Sequence, residues 1–351
     1  MSERITSHER PGVYSRYEAS SVVRGGAGKT VALLAKAAEG DGTKATLWHT
    51  YTQAAEDLGS STETAELVRL LFRNGASAVY GIPVSQDGQY TQAIATAEQL
   101  EQAQVVVCDS TTAQVQQDLR ESVERASSVR RERIAVVGGA AGETVSQLTA
   151  RAEQLNSERV VLVAPAALDE QGESLSGARC AAAAAGAIAG QSDPAIPLGG
   201  AVLSGLSGLT ARYDDSEIDA LVRGGVTPLE SVGGEICVVR GITTRTKTGG
   251  TADATWRELT TILIVDEVIP GIRDALRARF TRAKNTAQSR SAIRSQVIVE
   301  LEKRVAQEII TDYEDVTVTA VEDEPTVCLV EFAFTVAHGL NQIWLSAHIT
   351  I

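Results

Sequence analysis

Trp256-Arg257-Glu258-Leu259-Thr260-Thr261-Ile262-Leu263-Ile264-Val265-Asp266 opens the C-terminal stretch, residues 252–351, whose changes of period decide the fold. The run is amphipathic and feeds through Val268-Ile269-Pro270-Gly271-Ile272 into a basic helix expected from Arg273 to Arg282. A second helix is expected from Ile293 to Ile310, after which the period drops to two. Val316 to Val321 alternates, Cys328 to Val336 alternates with Phe332, Phe334 and Val336 on one face, and Ile343 to Ile351 alternates to the last residue. A strand with Ile343, Leu345, Ala347, Ile349 and Ile351 on one side has to be paired and covered, or it is an adhesive edge. Its partner is either the Cys328–Val336 strand across the turn Ala337 to Asn341, or another chain.

The other end of the sequence carries the matching feature. Arg10-Pro11-Gly12-Val13-Tyr14-Ser15-Arg16-Tyr17-Glu18 is a polar, extended lead-in followed by a short alternating strand with no local partner. Two free-ended strands at opposite termini are what strand exchange between identical subunits requires. The expected arm residues are Pro11, Gly12, Val13, Tyr14 and Tyr17 at one end and Ile343, Leu345, Ile349 and Ile351 at the other.

Between the ends the pattern is different. From Tyr51 onward helical periods alternate with short apolar strands at Ala78–Val84, Gln104–Asp109, Arg133–Val137 and Val160–Ala164. Such alternation argues a mainly parallel sheet with helices on both faces. Lys29 to Ala35 reads as a short buried strand with a neighbour at Ala45 to Thr50; because it precedes the α/β segment, it is expected in the C-terminal unit, which makes the α/β unit an insertion.

The 351 residues suffice for two cores, and 43% hydrophobic with 22% charged residues is globular composition. A formal net charge of −13 argues against nucleic acid as a partner, since phosphates call for a basic surface. Cys108, Cys180, Cys237 and Cys328 are far apart and form no C-x-x-C pair, which reads as free thiols in a reducing compartment. Met1 to Arg10 is too polar for a signal peptide, and no apolar run reaches the roughly 18 residues of a membrane span. Synthesis and assembly in the cytoplasm, without membrane insertion, is the expectation.

Chemical motifs are few. Gly25-Gly26-Ala27-Gly28-Lys29-Thr30 ends like a phosphate-binding loop, but Val23 stands where the first glycine belongs, and a β-type run follows in place of a helix. Lys29 is accordingly expected as the solvated start of a strand. Gly138-Gly139-Ala140-Ala141-Gly142 follows a strand at a position where α/β folds bind cofactors, but it lacks the G-x-G-x-x-G spacing and reads as a turn. His8, His49, His338 and His348 have no zinc spacing, and neither Ser204 nor Ser207 sits in a G-x-S-x-G elbow. No catalytic residue, metal or cofactor is expected. Arg273, Arg277, Arg279 and Arg282 place positive charge along one helix of an acidic chain, either as a solvated face or as a contact for an acidic partner.

Pro11-Gly12-Val13-Tyr14 resembles the opening of contractile tail sheath proteins, the family of myovirus tails, R-type pyocins and related injection systems. Three further segments agree in order and spacing. They are Ala185 to Gly190 with Asp193-Pro194 and Pro197 to Gly200, then Leu221 to Pro228 with Gly234 to Thr244, and the helix pair with its terminal strands. Thr227 stands where the family usually has Asn, and Val239-Arg240 where a Trp is common. The resemblance implies an α/β chain: an N-terminal extended arm (1–21), strands belonging to the C-terminal domain (22–50), an inserted α/β domain (51–205), a C-terminal α+β sheath domain (206–342) and a C-terminal arm (343–351). It also implies a structural subunit rather than an enzyme. Its partners would be copies of itself in stacked, hexameric rings, an inner tail tube, and baseplate and tail terminator proteins. The acidic partner of the Arg273–Arg282 helix would be the tube protein or an adjacent subunit. The competing reading is a nucleotide- or metabolite-binding α/β enzyme.

Overall fold

Thr30–Lys36 (β1) buries Val31, Ala32, Leu33, Leu34 and Ala35, so both its faces are covered, as a central strand of a parallel sheet requires. This is its place in the computed structural model, which describes residues 28–341, 343 and 345–347. Thr46–Trp48 (β2) is followed by Tyr51–Leu58 (α1), Glu63–Arg73 (α2), Ala78–Val84 (β3) and Tyr90–Gln99 (α3). Strand and helix then alternate through Ala103–Cys108 (β4), Ala113–Ser128 (α4), Ile134–Gly138 (β5), Val145–Leu155 (α5) and Val160–Ala164 (β6). A short strand Ala167–Leu168 (β7) precedes Gly177–Gly190 (α6), Gly208–Leu209 (β8), Asp215–Arg223 (α7), Val226–Val232 (β9) and Glu235–Val238 (β10). Lys247–Thr248 (β11) and Thr251–Ala252 (β12) lead into Leu259–Phe280 (α8), Ala287–Ala306 (α9), Ile310–Val321 (β13) and Glu324–Val336 (β14). Thr50, Thr62, Thr144, Ser176, Asp214 and Thr286 each accept a backbone N–H at a helix start, so short polar residues set where six of these helices begin.

One eight-stranded sheet runs β10-β9-β6-β5-β4-β1-β3-β2, parallel throughout except for the antiparallel edges β2 and β10. Alternate residues of β1 face opposite cores. Val31, Leu33 and Ala35 join the layer containing α2 and α6, while Ala32 and Leu34 join the layer of α3, α4 and α5. The helix α6 is buried along nearly its whole length from Ala178 to Ala189, which its run of alanines permits without a large side chain to accommodate.

Three expectations are corrected here. β1 and β2 do not belong to the C-terminal unit: β1 pairs with β3 and β4 in the middle of the sheet, because its all-apolar sequence needs cover on both sides. β9 and β10, expected in the unit from residue 206, extend the same sheet beside β6. The amphipathic run and the basic helix expected from Arg273 to Arg282 are one element, the 22-residue α8, which passes through Pro270 and ends at Phe280. Proline removes one helical hydrogen bond, but Ile264, Val268 and Ile272, spaced by four, are all buried on one face and hold both halves of the helix to the same core.

Candidate assembly interface

The strands β13 and β14 form a two-stranded antiparallel ribbon that stands apart from the main sheet. Val330, Phe332, Phe334 and Val336 alternate along β14 and pack, with Tyr313, on the core made by α8 and α9; the rings of Phe332 and Phe334 lie 6.3 Å apart. An isolated hairpin of this kind is marginally stable in water, so this apolar face on two helices is what holds it. The opposite face of β14, Val327, Leu329, Glu331, Ala333 and Thr335, is exposed, with Leu329 48% accessible. Because each strand has one neighbour among the described residues, each presents a free edge of backbone donors and acceptors. Register shifts near Ile310 and between Glu314 and Thr317, with Asp315 at φ 52°, kink β13 and twist the ribbon.

Cys328–Val336 pairs with Ile310–Val321 on one edge; the expected terminal strand, residues 343–351, lies mostly outside the described residues. Ile343 and Leu345 are 80% and 93% exposed and lie outside any strand of their own subunit. Pro11, Gly12, Val13, Tyr14, Tyr17, Ile349 and Ile351 lie outside the described residues.

Both ends of the described chain converge on one segment. The Lys29 N–H donates to the Ala189 carbonyl at 2.7 Å, at the end of α6. Eight residues further on, the backbone of Gly339 is seated on the Pro197 ring, where a Cβ would stand 2.1 Å from the ring's Cγ.

The basic helix is only partly free. Arg273 is held by Glu132 at 2.5 Å, which raises the guanidinium's pKa, and Arg279 donates to Gln296 on α9. Arg277 and Arg282 are exposed. The inward end of α8 carries a feature that sequence reasoning missed. Asp266 accepts two hydrogen bonds from Arg159, at 2.9 and 3.0 Å, with both side chains nearly buried. One turn is shared with Glu267, which pairs with Arg304 of α9 at 2.9 Å. Arg159–Asp266 and Glu132–Arg273 tie the β6 and β5 entries of the sheet to α8, and Glu267–Arg304 ties α8 to α9. Residues some 107 positions apart give no sequence signal of such pairing. Lys29 is not solvated as expected: it lines a cleft of about 780 Å³ beside Asp266 and Glu267, and burial lowers its pKa.

At the places where an α/β fold binds ligands, the protein's own residues engage the polar groups, and a cleft of about 250 Å³ remains between the turn at residues 139–144 and Tyr213. Beyond the carboxyl ends of β1 and β4, where strand order reverses, Asp109 accepts from the Lys36 N–H at 2.8 Å and from the Tyr90 hydroxyl. Burial raises the Asp109 pKa. At the Gly138-Gly139 turn, a Cβ on Gly138 would meet the Gly177 backbone at 2.3 Å, and one on Gly177 would meet the Gly139 carbonyl at 2.1 Å. These glycines seat α6 against the turn. Glu143 beside them is engaged by Arg151 at 2.6 Å and by the Ala140 N–H at 2.8 Å. No cluster of His, Cys, Asp and Glu suited to a metal occurs among the described residues, and no described helix is long and apolar enough to cross a membrane.

Two family models match the chain: the phage tail sheath protein central domain over residues 85–244, and the phage tail sheath C-terminal domain over residues 251–350. The tail sheath protein of Bacillus phage SP01 is 30% identical over 242 residues, a match that takes in 64% of this chain and 39% of the relative, so the chain spans less than half of that protein. Among solved structures, the anti-feeding prophage baseplate gives a TM-score of 0.74 at 15% identity, covering 99% of this chain and all of that one. The contracted helical sheath of the same prophage gives 0.72 at 15%, over 97% and 99% of the two chains. A sheath tail protein of Desulfitobacterium hafniense gives 0.70 at 12%, over 93% and 100%. They share its fold. With the two domain models together matching most of its length, and its ribbon and chain ends disposed as described, the chain belongs to the contractile tail sheath family.

Proposed function

We propose that the chain is a structural subunit of a contractile sheath, polymerising as stacked rings around an inner tube and contracting to drive that tube through a target envelope. The observation that carries the reading is the β13–β14 ribbon, with two free edges among the described residues, fixed to a helix pair and followed by Ile343 and Leu345, which are exposed and outside any strand. Terminal arms of neighbouring copies fit those edges, and backbone hydrogen bonds joined in this way survive subunit rotations that would break side-chain contacts. Six-fold rings are the proposed symmetry; the related anti-feeding prophage baseplate is described as six-fold symmetrised. The family is a structural one, and no observation favours the enzyme reading.

Contraction then follows from the physics of trapped lattices. Subunits templated by tube and baseplate are held in an extended arrangement, and release lets them rotate into a shorter, wider one with more contact, doing mechanical work. The ion pairs Arg159–Asp266 and Glu132–Arg273 keep the sheet and the ribbon-bearing helices moving together. The exposed Arg277 and Arg282 are the remaining candidates for a tube contact. Partners are other copies, the tube, and baseplate and terminator proteins, with assembly in the host cytoplasm and release in a virion tail or injection particle.

Electron microscopy of the purified full-length chain tests this. Tubes or ring stacks that grow with protein concentration, without nucleotide or metal, are expected; a monomer at every concentration would count against the reading.

A further inference from the structure

At the amino ends of β1, β4 and β5, the cleft of about 780 Å³ that holds Lys29 lies between the sheet and α8. Four of the five carboxylates lining it, on Glu101, Glu132, Asp266 and Glu267, are already paired with arginines. Arg159 and Arg304 pair from outside the cleft, so its own cations are left in surplus. Arg130 is where that surplus is free. It stands exposed on the rim after α4, beside Val129 at 58% exposure, and no carboxylate pairs with it among the described residues. Its backbone is left-handed, with φ 69°, and its N–H is bonded to the Ser127 carbonyl at 3.0 Å, so the turn that carries it is fixed.

The opposite end of the same sheet carries the reverse arrangement. Beyond the carboxyl end of β6, residues 169–173 form a tight loop. Asp169 Oδ1 accepts the N–H groups of Gln171 and Glu173 at 2.9 and 2.7 Å, and a bridge between Leu168 and Ser174 closes the base. Here the neighbouring arginines are the groups already engaged, Arg179 by Glu63 at 2.5 Å and Arg69 by Glu66 at 2.6 Å. The exposed Glu170 and Glu173 are left without a cation among the described residues. We infer that the 169–173 loop of one copy docks in this cleft of a second copy, with Glu170 meeting Arg130. The contact presupposes the self-assembly proposed above and adds a joint between the α/β sheets, separate from the terminal arms. Cleft and loop lie at opposite ends of parallel strands, so a subunit cannot close the contact on itself; it is heterologous and repeats from copy to copy. The loop is held in one shape before it docks, which lowers the ordering cost of binding. Opposite charges select this register over one that sets like ends together.

The test is polymerisation of the full-length chain without tube, read as the critical concentration by sedimentation. Arg130→Glu and Glu170→Arg should each raise it at least about fivefold, and more at low salt. The melting temperature should stay nearly unchanged, because both side chains are exposed. Arg130→Glu with Glu170→Arg in one chain restores opposite charges at every contact and should bring the critical concentration back to within about twofold of the unsubstituted value. A combined variant as impaired as the single ones would overturn the meeting of these two residues. Single variants that polymerise like the unsubstituted chain would overturn the docking of the loop and leave the proposed sheath function standing. No polymer from the unsubstituted chain would remove both.

Discussion

Gly339 lies with its backbone against the ring of Pro197, and only a residue without a side chain fits there. The contact fixes the direction in which the chain leaves β14. It does so at Pro197, eight residues past Ala189, to which Lys29 is bonded.

Gly339→Ala places a methyl 2.1 Å from the Pro197 Cγ, so the exit must shift. Overpacking of this kind costs about 1–3 kcal/mol where neighbours cannot yield; at this chain end most of the strain is expected to be released by redirecting the arm. The expected outcome is a nearly unchanged melting temperature with much less polymer by sedimentation. Adding Pro197→Ala removes the clashing Cγ and should restore assembly. Polymer yield unaffected by the single change would mean that the exit direction is immaterial.

Asp266→Ala strips Arg159 of its partner in a nearly buried site. Removing one member of such a pair costs about 3–5 kcal/mol because the other charge stays unpaired. Replacing both, Arg159→Met with Asp266→Leu, should recover most of that loss, since buried pairs often contribute little net stability. Urea denaturation measures both, and equal losses in single and double variants would contradict the pairing.

The burial-raised pKa of Asp109 fixes the sign of a pH effect. A carboxyl group whose folded pKa lies above its unfolded value holds its proton longer in the native state. Its contribution is therefore most favourable below the ordinary carboxylate range, and it declines as pH rises through the folded pKa. Relative to Asp109→Asn, which does not titrate, the unsubstituted chain should lose stability over that interval and run parallel on either side of it. A difference between the two that rises with pH would reverse the assignment.

Reversing the exposed Arg277 and Arg282 to Glu should weaken tube-templated assembly and steepen its salt dependence. The fold should change by less than about 0.5 kcal/mol, as surface substitutions usually do. Arg273→Glu should act differently, lowering stability by setting a second carboxylate against Glu132. If the outer pair leaves co-assembly intact, that face of α8 is simply solvated.

Much of this molecule was legible in its sequence because the patterns are local. The helix–strand alternation from Tyr51 to Ala164, the alternating Phe332–Phe334–Val336 face, and the missing context around Gly28-Lys29-Thr30 all depend on near neighbours. What failed depends on distant partners. Nothing near β1 announces that it lies between β3 and β4, and the local proline signal at Pro270 is overruled by buried residues on both sides of it. The basic helix was visible as composition, yet Glu132 and Gln296, which occupy Arg273 and Arg279, come from other elements. The 27 residues before Gly28 and most of the final segment remain a reading of the sequence.

Those ends also decide the central claim. Net gain per hydrogen bond is roughly 0.5–1.5 kcal/mol, so one added strand binds weakly while a lattice of them is strong. The most direct measurement is electron microscopy and calorimetry of the chain lacking Met1 to Glu18. Cooperative melting at nearly the full-length temperature, with monomers or disordered oligomers in place of tubes, is the predicted result; contractile tubes indistinguishable from those of the full-length chain would contradict strand exchange as the link between subunits.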